Sequence, residues 1–193
     1  MNSCNELKEH INRFVNINNA DFEQILSYVY PVSAPKKQHL HEAGKVCKSN
    51  FFVSKGCLRM FFIKDNGTEQ TIQFALENWW LSDYTSFSSQ QTSVFYIQAV
   101  EKSDVVAIDF SAQEKMLQQF PQMERYFRLI HQRAHAASQK RLKDLFTQSR
   151  EEIYHEFCEQ YPDFVQRIPQ YLLASFLGFT PEYLSEIRRK RIS

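Results

Sequence analysis

The hydrophobic pattern of this 193-residue chain switches from the strand period to the helix period near Ser111, and that switch limits the folds open to it. Residues 36–110 read as short β-prone runs separated by turn residues. Beyond Ser111 the apolar residues recur every three or four positions, the period of a helix. Strands followed by helices, rather than alternating with them, predict an α+β chain. The sharpest signal is Asp65-Asn66-Gly67, set between Cys57–Lys64 and Thr68–Ala75. Asn-Gly between two β-prone runs closes a hairpin because both residues tolerate positive φ. Further strands are expected at Trp79–Leu81, Val94–Ala99 and Val105–Asp109, with Phe51, Phe52 and Val53 beside a turn. Gly44, Gly56 and Gly67 fall at the breaks between these runs. Many short strands at regular spacing predict a closed or sandwiched β structure, and 17 phenylalanines can fill its interior.

The helical parts carry their own boundary signals. Near the N-terminus, over 5–30, Leu7, Ile11, Phe14 and Val15 share a face. Asn19 or Asp21 is expected to cap a further turn bearing Phe22, Ile25, Leu26 and Tyr28, and Pro31 and Pro35 stop the helix. Ser111 with Glu114 has the form of a capping box. After Pro121 a long helix is expected, with Met123, Phe127, Ile130, Ala134 and Ala137 in a 4-3-4-3 spacing. That spacing predicts a coiled-coil-like seam in which two copies of the chain meet, close at the alanines. The alternative is a helix packed on its own domain. Ser149 and Glu152 form a second capping box, opening a helix with Ile153, Phe157 and Tyr161 on one face and Pro162 at its end.

Overall charge decides little, because the formal net charge is +1. Local charge says more. Between Met123 and Arg150 the bases Arg125, Arg128, Arg133, Lys140, Arg141, Lys143 and Arg150 oppose only Glu124 and Asp144, and Arg188–Arg191 is a basic cluster. The cysteines Cys4, Cys47, Cys57 and Cys158 form no CxxC pair, which fits reduced thiols in a cytoplasmic protein. No apolar leader opens the chain and no run reaches the length of a membrane span, so no membrane partner is expected. His39-Leu40-His41-Glu42 among strands raises the alternative of a cupin-like metal-dependent enzyme. The remaining ligand positions of such a site hold Lys45 and Val46, so no metal or cofactor is expected. No Ser/His/Asp set or phosphate-binding Gly loop supports another catalysis.

The most informative segment is near the C-terminus. Ile168–Leu177 reads as a helix with Pro169 in its first turn, and Gly178-Phe179 as a tight turn. Thr180 is an N-cap with Pro181 after it and Glu182 at the positive helix end. The helix from Pro181 to about Arg191 buries Leu184 and Ile187. It exposes Tyr183, Ser185, Glu186, Arg188, Arg189 and Lys190. This resembles a helix-turn-helix: Ala174 is small where the helices cross, Gly178 makes the turn, and Leu173, Leu177, Leu184 and Ile187 hold the second helix down. Thr180, Glu182, Tyr183, Ser185, Glu186, Arg188, Arg189 and Lys190 are therefore the expected contacts to double-stranded DNA. The N-terminal residues are expected to reach base edges and the basic ones phosphates.

Barrel, long helix and helix-turn-helix, in that order, resemble the cyclic-AMP receptor/fumarate-nitrate regulator (Crp/Fnr) family over essentially the whole chain. The resemblance implies an N-terminal cyclic-nucleotide-binding-like β-barrel (a double-stranded jelly roll) over 1–120. A dimerisation helix over 121–147 and a helix-turn-helix domain over 148–193 follow. It also implies a homodimer that is not an enzyme, works on DNA and in some members engages RNA polymerase. By position the family's ligand pocket maps to Trp80, Ser82, Asp83, Tyr84, Ser93 and Val94. Its nucleotide-binding members place a Gly-Glu-Leu stretch and an Arg-Ser or Arg-Thr pair there. Here those positions hold Ser82-Asp83-Tyr84 and Ser93-Val94, and no arginine lies between Arg59 and Arg125. Cyclic AMP is thus not the expected effector, whose identity the sequence leaves open. Pro181 stands where the family's receptor has a base-reading arginine, and the β-wing that usually follows the reader helix is not expected. A barrel used only for protein interaction is the remaining alternative.

Overall fold

A computed structural model describes residues 2–192 of the chain, with side chains from 3 to 189. The N-terminal part contains α1 (Asn2–Asn12), α2 (Asn19–Ile25), a 3-10 turn (Leu26–Tyr28), β1 (Val29–Ala34), β2 (His39–His41), β3 (Ser49–Lys55), β4 (Leu58–Ile63), β5 (Glu69–Ala75), β6 (Trp80–Leu81), α3 (Tyr84–Ser89), β7 (Tyr96–Ala99), β8 (Ser103–Asp109) and α4 (Phe110–Gln119). Then come α5 (Gln122–Thr147), α6 (Arg150–Gln160), α7 (Pro162–Arg167), α8 (Gln170–Leu177) and α9 (Pro181–Ile192).

The chain divides into two compact units, residues 1–62 with 72–131, and residues 63–71 with 132–193. The segment expected as a separate dimerisation element is one helix, α5, whose first turns belong to the first unit and whose remainder belongs to the second.

The first unit is built on two four-stranded sheets, ordered β1-β8-β3-β6 and β2-β7-β4-β5. Strand alternation distributes the side chains. Phe51 and Val53 of β3, with Val105 and Ala107 of β8, join Leu58, Met60, Ile97 and Ala99 from the other sheet in one core. Their neighbours Phe52, Val106 and Ile108 point the other way. They pack against Leu7 and Ile11 of α1, Phe22 and Ile25 of α2, Met116 of α4, and Met123, Tyr126 and Phe127 of α5. Strands β3 and β8 are therefore buried on both faces, which explains near-continuous apolar runs where a half-exposed strand would alternate. Gly56 closes the β3–β4 turn at φ +103°, and a Cβ there would lie 2.6 Å from the Ser103 Cα.

Several local boundaries differ from expectation. Asn18, not Asn19 or Asp21, caps α2, its side chain accepting from the Asp21 amide. Pro31 lies inside β1 rather than in a break. Asp109 precedes α4 and Ser111 sits inside it, so the expected Ser111 capping box does not form. Helix α3 was not expected. The Ser149/Glu152 box is present, but α6 buries Tyr154 and Cys158 while Tyr161 is exposed. That face lies about 100° from the expected Ile153/Phe157 line, one residue along the helix. Pro162 ends α6 and at once starts α7, where its missing N–H is no loss.

Candidate nucleic-acid interface

Within the second unit, α8 and α9 pack through the expected framework. Leu173, Ala174, Leu177, Leu184 and Ile187 are all buried. Ala174 at the crossing lets the two backbones approach. Gly178 ends α8 at φ 79°, a left-handed cap that a β-carbon would strain. The Phe179 amide then donates to the Ala174 carbonyl at 2.8 Å, which fixes the turn. Thr180 Oγ1 accepts from the Tyr183 amide at 3.2 Å, so this hydroxyl caps α9.

The outward face of α9 carries Glu182, Ser185, Glu186, Arg188 and Arg189, all exposed, with Thr180 exposed before it. Lys190, also expected as a contact, has its side chain outside the described residues. Tyr183 departs from expectation. It is half-buried, packed edge-on against the Phe179 ring at 5.7 Å, and Arg150 stands 5.7 Å over its own ring. Ser185 Oγ donates to the Pro181 carbonyl at 2.9 Å, so its proton is used within the helix while the oxygen can still accept. Sequence reasoning noted Arg150 only for its charge. Its place beside α9 depends on the helix that Ser149 caps, a pairing that no local pattern announces.

The six residues expected to line the barrel pocket do not share one cleft. Trp80 lies in the helix-facing core, where its indole N–H donates to the Tyr126 hydroxyl at 2.8 Å. Asp83 caps α3, accepting from the Thr85 and Ser86 amides. Ser82 donates to the Ser49 carbonyl at 3.1 Å. The Tyr84 hydroxyl reaches Asn50 at 3.5 Å, and burial raises its pKa. Ser93 is buried beside Gly44 and Lys45, with which its backbone exchanges hydrogen bonds. Val94 is 69% exposed. None of these six lines the open cleft of about 630 Å³ on this unit, whose wall is residues 39–42, 45–49 and 51. His41 lies in that wall, buried, its pKa lowered by desolvation against the opposing pull of Asp83. Among the described residues no group of three His, Cys, Asp or Glu side chains is placed to hold a metal ion. His39 is engaged with Glu42 at 3.7 Å and with Gln98.

Residues 31–120 match the family model of the cyclic nucleotide-binding domain. Among solved structures the chain is similar to FixK2 from Bradyrhizobium japonicum, with TM-score 0.72 and 15% identity over 84% of this chain and 83% of that one. It is also similar to CLP from Xanthomonas campestris, described as a c-di-GMP-responsive global regulator, with TM-score 0.71 and 13% identity over 90% and 91% of the two chains. A Eubacterium rectale protein assigned to the crp/fnr family of transcriptional regulators gives TM-score 0.68 and 16% identity over 90% and 83%. This chain has the fold of the Crp/Fnr regulators. No curated protein matches its sequence significantly.

The expected seam on α5 is half internal. Met123 and Phe127 are buried at 1% and 4% exposure in the core of the first unit, and Ile130 packs against that core. They belong to their own domain because the rings of Phe52, Trp80 and Phe127 pack there at tilted angles, with centroid distances of 5.4 and 5.2 Å. Ala134 and Ala137 are exposed. At about 100° per residue, Ala134, Ser138 and Leu145 continue the face of Met123 and Phe127. Leu142 and Leu145 on this stretch are 56% and 49% exposed. No helix among the described residues is long and apolar enough to cross a membrane.

Proposed function

We propose that this chain is a DNA-binding transcription regulator that acts as a homodimer. In this reading α9 enters the major groove of double-stranded DNA from each of two copies. The observation that carries the reading is the division of α9. Leu184 and Ile187 are sealed against α8, while Glu182, Ser185, Glu186, Arg188 and Arg189 face outward. A helix held in this way presents acceptors and a hydroxyl to base edges near its start and cations to phosphates further on. The Thr180 hydroxyl proton and the Glu182 amide at the helix start add a phosphate site.

The two copies meet along the exposed part of α5, at Ala134, Ala137, Ser138, Leu142 and Leu145, rather than at Met123 and Phe127. RNA polymerase is the partner through which such a dimer would control transcription. The effector of the barrel is not cyclic AMP, because the Arg59–Arg125 interval offers a buried phosphate no arginine. Asp83, the other candidate contact, is already engaged at the α3 cap.

The test is selection of bound duplexes from a random DNA pool by the full chain, with sedimentation of the same sample. Enrichment of a two-fold symmetric sequence by a dimer is expected. No enrichment, or a monomer at micromolar concentration, would refute the proposal.

A further inference from the structure

Within the second unit, the end of α8 is gripped by the hairpin tip 63–71. Ser175 Oγ accepts from the Thr71 amide at 2.8 Å and donates to the Glu69 carbonyl at 2.9 Å. The Gln70 side chain donates to the Ser175 carbonyl. Strand β5 is the last in the order β2-β7-β4-β5 and therefore has an unpaired edge. Residues 69 and 71 point their backbone groups out from that edge, as alternate residues of a strand do. One serine hydroxyl satisfies both, taking the place of a neighbouring strand. The next residue is held as well: Arg141 of α5 donates to the Phe176 carbonyl at 2.5 Å, with its guanidinium 3.8 Å over the Phe176 ring.

Both grips fall in the last turn of α8, just before the Gly178 turn that aims α9. The packing between α8 and α9 does not use Ser175: the sealed residues are Leu173, Ala174, Leu177, Leu184 and Ile187, and Ser175 is half-exposed beside them. A hydroxyl that contributes nothing to the helix pair, yet completes two hydrogen bonds to a strand, fixes where the pair points.

We infer that Ser175 is a positioning residue for the DNA reader: it ties α8 to residues 69–71 and so presents α9 already oriented. The inference rests on the DNA-binding reading above. Without the clamp the helix pair keeps its core but must be ordered when DNA binds, and that ordering weakens binding to every sequence alike.

The test compares the full chain with Ser175→Ala and Ser175→Thr on a selected duplex and on random duplex, alongside amide exchange at Thr71. For Ser175→Ala, affinity for both duplexes should fall about tenfold, the size expected when one or two net hydrogen bonds are lost. Thr71 exchange should rise by a similar factor, with helix content unchanged, and Ser175→Thr should restore both. Unchanged Thr71 exchange, or unchanged or tighter DNA binding by Ser175→Ala, would overturn the inference while leaving the DNA-binding reading intact. A wild-type chain that binds no duplex would remove both.

Discussion

Tyr126→Phe should destabilise the first unit more than any other loss of a single oxygen in it. The Tyr126 hydroxyl lies 2.8 Å from the Trp80 indole nitrogen and 2.8 Å from His10 Nδ1. An indole N–H can only donate, so the tyrosine oxygen accepts from it, leaving the phenol proton for the imidazole nitrogen. The triad joins α1, β6 and α5 inside one core, and burial raises the Tyr126 pKa. Removing the hydroxyl deletes two hydrogen bonds worth about 0.5–1.5 kcal/mol each and leaves a buried indole N–H without its acceptor. The expected loss is about 2–4 kcal/mol. At the size of this chain that is a fall in melting temperature of about 5–12 °C.

Urea unfolding followed by tryptophan fluorescence reads the effect directly, because Trp80 is itself in the triad. Tyr84→Phe is the control: its hydroxyl reaches Asn50 only at 3.5 Å, so its removal should cost under about 1 kcal/mol. A Tyr126→Phe loss no larger than that of Tyr84→Phe, with Trp80 emission unchanged, would refute the triad.

Three further outcomes are expected. Burial holds the His131 imidazole below its ordinary pKa, beside the Tyr84 ring at 4.7 Å. The unfolded chain then binds the proton more readily, so stability is complete above about pH 6.5 and falls as the pH drops below it. Urea midpoints at pH 7.5 and 5.5 should show this fall, His131→Gln should reduce it, and a midpoint that rises on acidification would contradict the shift. Leu145→Glu should shift the sedimenting species toward monomer without lowering the melting temperature of the barrel, whereas an unchanged dimer would remove α5 as the interface. Cyclic AMP at millimolar concentration should leave the melting temperature in place; a rise of several degrees would show that the barrel binds it without an arginine.

What the sequence made legible follows from range. The Asn66-Gly67 hairpin, the Ser149 cap and the Gly178 turn are decided by neighbouring residues, and each stands where local chemistry puts it. The packing of α8 on α9 was legible too, because Ala174, Leu177, Leu184 and Ile187 lie within a short stretch of sequence and are all buried. On α5 the 4-3-4-3 pattern marks only that a face is apolar, not what covers it. Phe52 and Trp80, distant in sequence, cover Met123 and Phe127. Positions carried over from a family ignore that Asp83 caps a helix here and that Val94 turns outward. The Ser175 clamp was invisible, since it pairs a helix residue with strand residues about a hundred positions away.

As the DNA reader, α9 would make base contacts near its start and phosphate contacts further along. The most direct measurement is affinity for a selected duplex and for random duplex across a series of salt concentrations, for the full chain, Glu182→Ala and Arg189→Ala. Glu182→Ala should alter preference at one base pair by about 1–3 kcal/mol and leave the salt slope alone. Arg189→Ala should weaken both duplexes equally and reduce the slope of log affinity against log salt by about one. If neither substitution changes affinity, preference or slope, α9 is not the reader and the assignment fails.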